Sequence, residues 1–279
     1  MEKINTILLI QELETDGHSP MQFICSNGSD YYVKYRSGKS FDKQEINCLV
    51  FEILCTKLLN SLAVPTPDQA LVTITPDSYF KHQLKANRRT IRDGVVAWGS
   101  KRIEQSDLVK GIELVLKRNE FNRYSNPRDL IKIAIFDLWT DNVDRHSENY
   151  NLIVGVDDKK LKIFAIDHAF AFGGLNGMHT FNEKTAPNLN KKLIKSDFFR
   201  SIATFISKEE RIFIVNDFLT LIVGLDIEDI VNEVFDEIPL NWEVNSNLKD
   251  RVINFLKSQE RIKAIANLSK HELMKISKK

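Results

Sequence analysis

At 279 residues the chain is long enough for one large domain or two lobes around a real core. Hydrophobic residues at 43% and charged residues at 28% are an ordinary globular balance. Lys+Arg 39 against Asp+Glu 38 leave no net field for bulk nucleic-acid or membrane binding, and no apolar run approaches the roughly 18 residues of a membrane span.

The N-terminal run MEKINTILLIQELE has a short apolar core, followed at once by Glu12 and Glu14 and no small-residue cleavage site. It reads as a first strand and not as a signal peptide. MQFIC and YYVKYR follow as strands, joined by SNGSD, a turn with Gly28 at its centre. Residues 41–62 form an apolar helix, which Pro65 and Pro67 end. ALVTI (70–74) and GVVAW (94–98) are further strands, and the basic run KHQLKANRRTIR (81–92) between them reads as a solvated loop. Cys25, Cys48 and Cys55 form no C-x-x-C pair and read as buried free thiols of a cytoplasmic protein.

The second half is mostly helical. Asn126-Pro127 predicts a helix start, with the helix running to about Thr140. After it come the loop NVDRHSEN, a strand YNLIV, a turn around Gly155 and Asp157-Asp158, and a strand LKIFAI. Beyond residue 195 helix follows helix; Ser207 and Glu210 suggest a capping box, Gly224 and Pro239 act as stops, and DFFRSIATF (197–205) reads as helix core. The expected architecture is α+β, with a small β-rich N-lobe over residues 1–99 and a larger α-helical C-lobe over 100–279.

Three pieces carry chemistry. Asp144 and Asn149 have the D-x-x-x-x-N spacing of a kinase catalytic loop, where the Asp handles the acceptor proton and the Asn holds Mg²⁺. Asp167 ends an apolar strand, and the hairpin before it should bring it beside Asn149, as a second metal ligand must be. Lys34 lies in a half-buried strand and needs a carboxylate to hold it if it is to reach phosphates. Glu52 is the only charged residue between Ile46 and Thr56, so pairing with Lys34 would offset its burial; Glu45 is the second choice.

NVDRHSENYNLIV…IFAIDHAFAF resembles the catalytic and metal-binding segments of HipA-like kinases, in the phosphatidylinositol-kinase-like superfamily. DGHSPMQFICSNGSDYYVKY, VFEILCTKLLNSLAVPTP, GVVAWGS and EIPLNW match in the same order across nearly the whole chain. The resemblance implies a two-lobed protein-kinase-like fold and ATP- and Mg²⁺-dependent transfer to Ser or Thr of a protein substrate. It also implies a toxin-like setting, with a regulatory partner of the antitoxin type. Carried over, Asp144 is the catalytic Asp and His146 its companion, Asn149 and Asp167 hold metal, and Lys34, paired with Glu52, holds the ATP phosphates. Gly17, His18 and Ser19 match the phosphate-covering loop, and residues 97–100, with Ala97 and Trp98, match the adenine hinge. No G-x-G-x-x-G is present. Ser19 is either an autophosphorylation site or the cap of a turn before Pro20. The chain begins almost at the kinase lobe, so the family's antitoxin-binding mode does not transfer.

Two rivals remain. Asp144, His146, Asp167 and His168 could ligate the metal of a phosphohydrolase, a reading that leaves Lys34, Glu52 and Asn149 unemployed. A kinase acting on a lipid or small molecule is the other, although no stretch reads as a membrane-docking helix.

Overall fold

The computed structural model describes residues 1–13, 19–36, 42–110 and 114–277. Strand alternation builds the first layer. In β1 (Glu2–Glu12) Ile4, Thr6 and Leu9 are buried while Ile7, Leu8 and Ile10 are exposed. β2 (Met21–Cys25) and β3 (Asp30–Lys34) form the expected hairpin. Gly28 at its tip has φ +76°, a left-handed conformation that glycine adopts without strain.

α1 (Asp42–Ser61) separates this hairpin from β4 (Gln69–Thr73) and β5 (Val96–Lys101). The five strands close into a barrel in the order β1-β2-β3-β5-β4. A parallel pairing of β1 with β4, from Glu2↔Ala70 to Asn5↔Thr73, seals it, so among the described residues this sheet has no open edge.

Residues 97–100, expected as the adenine hinge, lie inside β5. The apolar Ala97 and Trp98 are needed there to pair with Val72 and Leu71 of β4, so the strand continues past them. The segment that leaves the barrel is Arg102–Gln105. It leads into β6 (Ser106–Leu108), the first strand of a second antiparallel sheet.

That sheet is completed by two strands that follow the short helix α2 (Arg118–Phe121) and α3 (Asp129–Trp139). They are β7 (Leu152–Asp157) and β8 (Lys160–Ala165), joined at Asp158-Lys159, both at positive φ. Gly155 is therefore not in the turn but inside β7. A Cβ there would lie 2.9 Å from Ile103 Cγ2, so only glycine lets the sheet pack this close to the crossing segment.

The remaining helices are α4 (Gly174–Gly177), α5 (Asp197–Ala203), α6 (Lys208–Val223), α7 (Ile227–Glu237), α8 (Leu248–Lys257) and α9 (Gln259–Met274). Phe198 and Phe199 of α5 are core, as expected. The α6 capping box is half formed. Ser207 Oγ accepts the Glu210 N–H at 3.1 Å, but the Glu210 carboxylate goes to Arg128 instead of returning to the cap.

Most α1 side chains from Ile46 to Leu59 are buried, as a helix apolar nearly all round requires. Barrel contacts hold one side. On another, Lys57 pairs with Glu233 of α7, and Asn47 Oδ1 accepts the Asn245 N–H at 3.2 Å. Trp242 Nε1 donates to the Val96 carbonyl at 3.0 Å, tying the segment after α7 to β5. Among the described residues no helix is long and apolar enough to cross a membrane.

Candidate active site

Alternation along β3 buries Tyr31 and Val33 in the barrel and turns Lys34 to the opposite face, toward α1. Lys34 Nζ lies 2.8 Å from Glu52 Oε1 and 2.9 Å from Asp167 Oδ2. Glu52 is fully buried, and its Oε2 accepts the His168 N–H at 2.7 Å. A carboxylate in an apolar helix has thus filled both oxygens with charge-assisted donors. Glu45, the second choice, is buried but is not a partner of Lys34.

Burial opposes the Lys34 charge, yet Asp167 and Glu52 outweigh it and hold the ammonium above its usual range. Burial pushes the Glu52 carboxyl upward against the pull of Lys34, with Asp167 adding to the rise. The ammonium also sits 5.5 Å from the centre of the Trp98 ring, across the β3–β5 ladder.

The loop after α3 is built around a buried guanidinium. Arg145 is fully buried and pairs through Nη1 with Asp137, a buried acid in the apolar C-terminal half of α3. Its Nη2 donates to the Ile166 carbonyl at 2.7 Å, and its Nε to the Asn151 carbonyl at 3.3 Å. One side chain therefore fastens helix, loop and the end of the hairpin. Asn142 Oδ1 accepts the Asp144 N–H at 3.1 Å, and Lys192 Nζ holds Asp141 at 3.1 Å.

On this frame His146 and Asn149 exchange backbone hydrogen bonds of 2.9 and 3.1 Å around a tight turn. Asn149 Nδ2 and Asn151 Nδ2 both donate to Asp144 Oδ2, at 2.9 and 2.8 Å. Asp144 Oδ1 takes no hydrogen bond among the described residues. Burial raises the Asp144 carboxyl above its usual range, with the Asp167 charge adding and the two amides pulling back.

Two clusters result, Lys34 with Glu52 and Asp167, and Asp144 with Asn149 and Asn151, close enough for the Asp167 charge to act on Asp144. His146 shapes the turn, its Nδ1 accepting the Glu148 N–H at 3.2 Å. Gly17 and His18 lie outside the described residues. Ser19 is buried at φ +36°, its carbonyl accepting Asn87 Nδ2 at 2.7 Å.

Sequence reasoning missed Asn151, Asn142, Lys192 and the Arg145–Asp137 pair. Asp137 carried a usable signal: it is the only charged residue between Ile133 and Thr140, the same argument that selected Glu52. The other three are loop positions with no periodicity to mark them.

A divalent cation fits this donor set. The Asn149 amide nitrogen is committed to Asp144, so Oδ1 is the atom it could offer a cation, with the Asp167 carboxylate as the other expected donor. One amide and one carboxylate oxygen suit Mg²⁺, which keeps several waters and takes phosphate ligands from its substrate. Among the described residues no three His, Cys, Asp or Glu side chains gather as a metal-hydrolase site needs. His168 is buried and faces Arg145, and its pKa is driven down by burial, with Arg145 adding.

The family described as HipA-like kinase matches residues 7–272. No curated protein matches the sequence. The crystal structure of a Helicobacter pylori proinflammatory kinase, CtkA, is similar over 99% of both chains, with TM-score 0.52 and 14% identity. A Golgi casein kinase with Mn and ADP bound is similar over 98% of this chain and 73% of its own, with TM-score 0.50 and 12% identity. Both likenesses are of fold: a mixed α+β chain resembling kinases.

Proposed function

Because this chain belongs to the HipA-like kinase family, we propose that it transfers the γ-phosphoryl group of ATP to a Ser or Thr hydroxyl of a protein, with Mg²⁺. The observation that carries this reading is Lys34 anchored between Glu52 and Asp167. A lysine so held keeps its charge and has a third N–H to offer ATP phosphate. Asn149 and Asp167 would hold Mg²⁺, whose charge offsets that of the phosphates. Asp144 Oδ1 accepts the proton of the attacking hydroxyl, while Asn149 and Asn151 fix the carboxylate through its other oxygen. The new bond is hydroxyl oxygen to γ-phosphorus, and ADP leaves.

In this reading the barrel with α1 is the N-lobe, expected over residues 1–99 and carried to Lys101 by β5, and the remainder, expected over residues 100–279, is the C-lobe of a phosphatidylinositol-kinase-like fold. The adenine edge meets the end of β5, residues 97–100 with Ala97 and Trp98, where the chain leads into the crossing segment Arg102–Gln105. Gly17, His18 and Ser19 cover the phosphates. The enzyme works in the cytoplasm, in a toxin-like role restrained by an antitoxin-like partner.

Ser19 is the regulatory residue of this scheme. A phosphoserine there adds nearly two negative charges at neutral pH. The buried site, closed by the Asn87–Ser19 contact, cannot accommodate them beside ATP phosphates, so the segment must leave and activity stop. Intact-mass measurement after incubation with ATP and Mg²⁺ tests both transfer and site. The expected result is one added phosphate on wild type and none on Ser19→Ala; a phosphate retained by Ser19→Ala removes Ser19 from the scheme.

A further inference from the structure

The segment from Lys81 to Arg92 carries five cations and no acid. It is not a floppy loop. Leu84, Asn87 and Ile91 are buried, while Lys81, Arg88, Arg89 and Arg92 are exposed between them. The Glu12 carboxylate accepts the N–H groups of Lys85, Ala86 and Asn87 at 2.6, 3.2 and 2.9 Å, and Asn87 Nδ2 at 2.7 Å. Asn87 Nδ2 also holds the Ser19 carbonyl. The basic segment is therefore fastened to both ends of residues 14–18, at the proposed phosphate-covering segment.

Some surface cations, Lys57, Arg102, Arg128, Lys162 and Lys257, each pair with an acid, while others such as Arg123 and Lys263 do not among the described residues. Among the described residues Lys81, Arg88, Arg89 and Arg92 have no carboxylate partner. Arg88 and Arg89 lie in one turn, closed by N–H groups of Thr90 and Ile91 on the Asn87 carbonyl. Phe80, 68% exposed and stacked on His82, adds an apolar rim.

We propose that Lys81, Arg88, Arg89 and Arg92 form a docking surface for an acidic segment of the protein that this enzyme modifies. Arginine forks match carboxylates bidentately, and a pre-fixed backbone spares the ordering cost of binding. A nucleic-acid strand is the poorer occupant. It calls for a longer basic track with free aromatic platforms, whereas here the patch is one segment of twelve residues, Phe80 is stacked on His82, and the net charge is +1. That the docked protein is a phosphoryl acceptor rests on the kinase reading; docking itself does not.

The test is fluorescence anisotropy of a labelled oligo-glutamate peptide with the full chain, without nucleotide, for wild type and R88E/R89E/R92E. We expect wild type to bind at low ionic strength and weaken with salt, and the variant to bind at least about tenfold more weakly. The variant's melting temperature and Mg²⁺·ATP binding should be unchanged. Equal peptide affinity in both proteins, or no peptide binding by wild type, overturns the proposal, as does tighter binding of a single-stranded RNA of matched charge. Peptide binding by a protein that fails to bind ATP supports the docking surface and defeats the kinase reading alone.

Discussion

Asp144 uses one carboxylate oxygen for two amide donors, and among the described residues the other takes no hydrogen bond, as the proposed base requires. Replacing it by Ala should leave Mg²⁺·ATP binding in place and cut phosphoryl transfer by about 10²- to 10⁴-fold, the usual contribution of a positioned base. Equal loss of nucleotide affinity would mean that the carboxylate serves ATP instead. Its pKa supplies a second readout. Only the ionised form accepts a proton, and burial raises the carboxyl above 3.8, so transfer should fall with decreasing pH at an apparent pKa above that value. A kcat/KM profile flat down to pH 3.8 would contradict this. Lys34 and Glu52 belong to one charge cluster with Asp167. Lys34→Ala and Glu52→Ala should therefore damage transfer, with the double variant little worse than either alone; additive losses would deny the pair a shared role.

At the scale of elements, Arg145 joins α3, the loop and the hairpin end through a site with no water access. Asp137→Ala would strand that guanidinium and should cost about 3–5 kcal/mol, read from the denaturation midpoint, while Asp137→Ala with Arg145→Met should cost less. A wild-type midpoint in Asp137→Ala would rule out the pair as a structural pin. Arg145 thus builds the loop that Asp144, His146 and Asn149 occupy. The strands, α1 and the helical second half were legible because alternation, apolar runs and proline stops act locally. The Lys34–Glu52 contact was legible because an uncompensated buried charge demands a partner. Barrel closure by β1 and β4 was not, since a parallel pairing between distant segments leaves no local mark. Nor was the extent of β5, where the match at 97–100 pointed to a connection while the β3 and β4 ladders extend the strand to Lys101. The role of Asn151 was hidden for a related reason: its φ of +44° and its bond to Asp144 exist only once the hairpin has formed.

Across the whole molecule, the candidate site depends on α1 staying where it is. A closed barrel presents Lys34, and α1 presents Glu52 while α7 and the Trp242–Asn245 segment brace it and β5. The second sheet delivers Asp167 on the other side, at a residue with φ +55° that turns the chain sharply after β8. Charge, backbone and packing thus converge on the place where the proposed chemistry would hold a polyphosphate with its cation. The most direct test is calorimetric titration of Mg²⁺·ATP into wild type and Asp167→Ala. Binding by wild type at about millimolar Kd or tighter, with weaker and no longer Mg²⁺-dependent binding by Asp167→Ala, is the predicted result. No heat of binding with wild type at millimolar nucleotide, or the same Mg²⁺-dependent affinity in both proteins, would contradict the account.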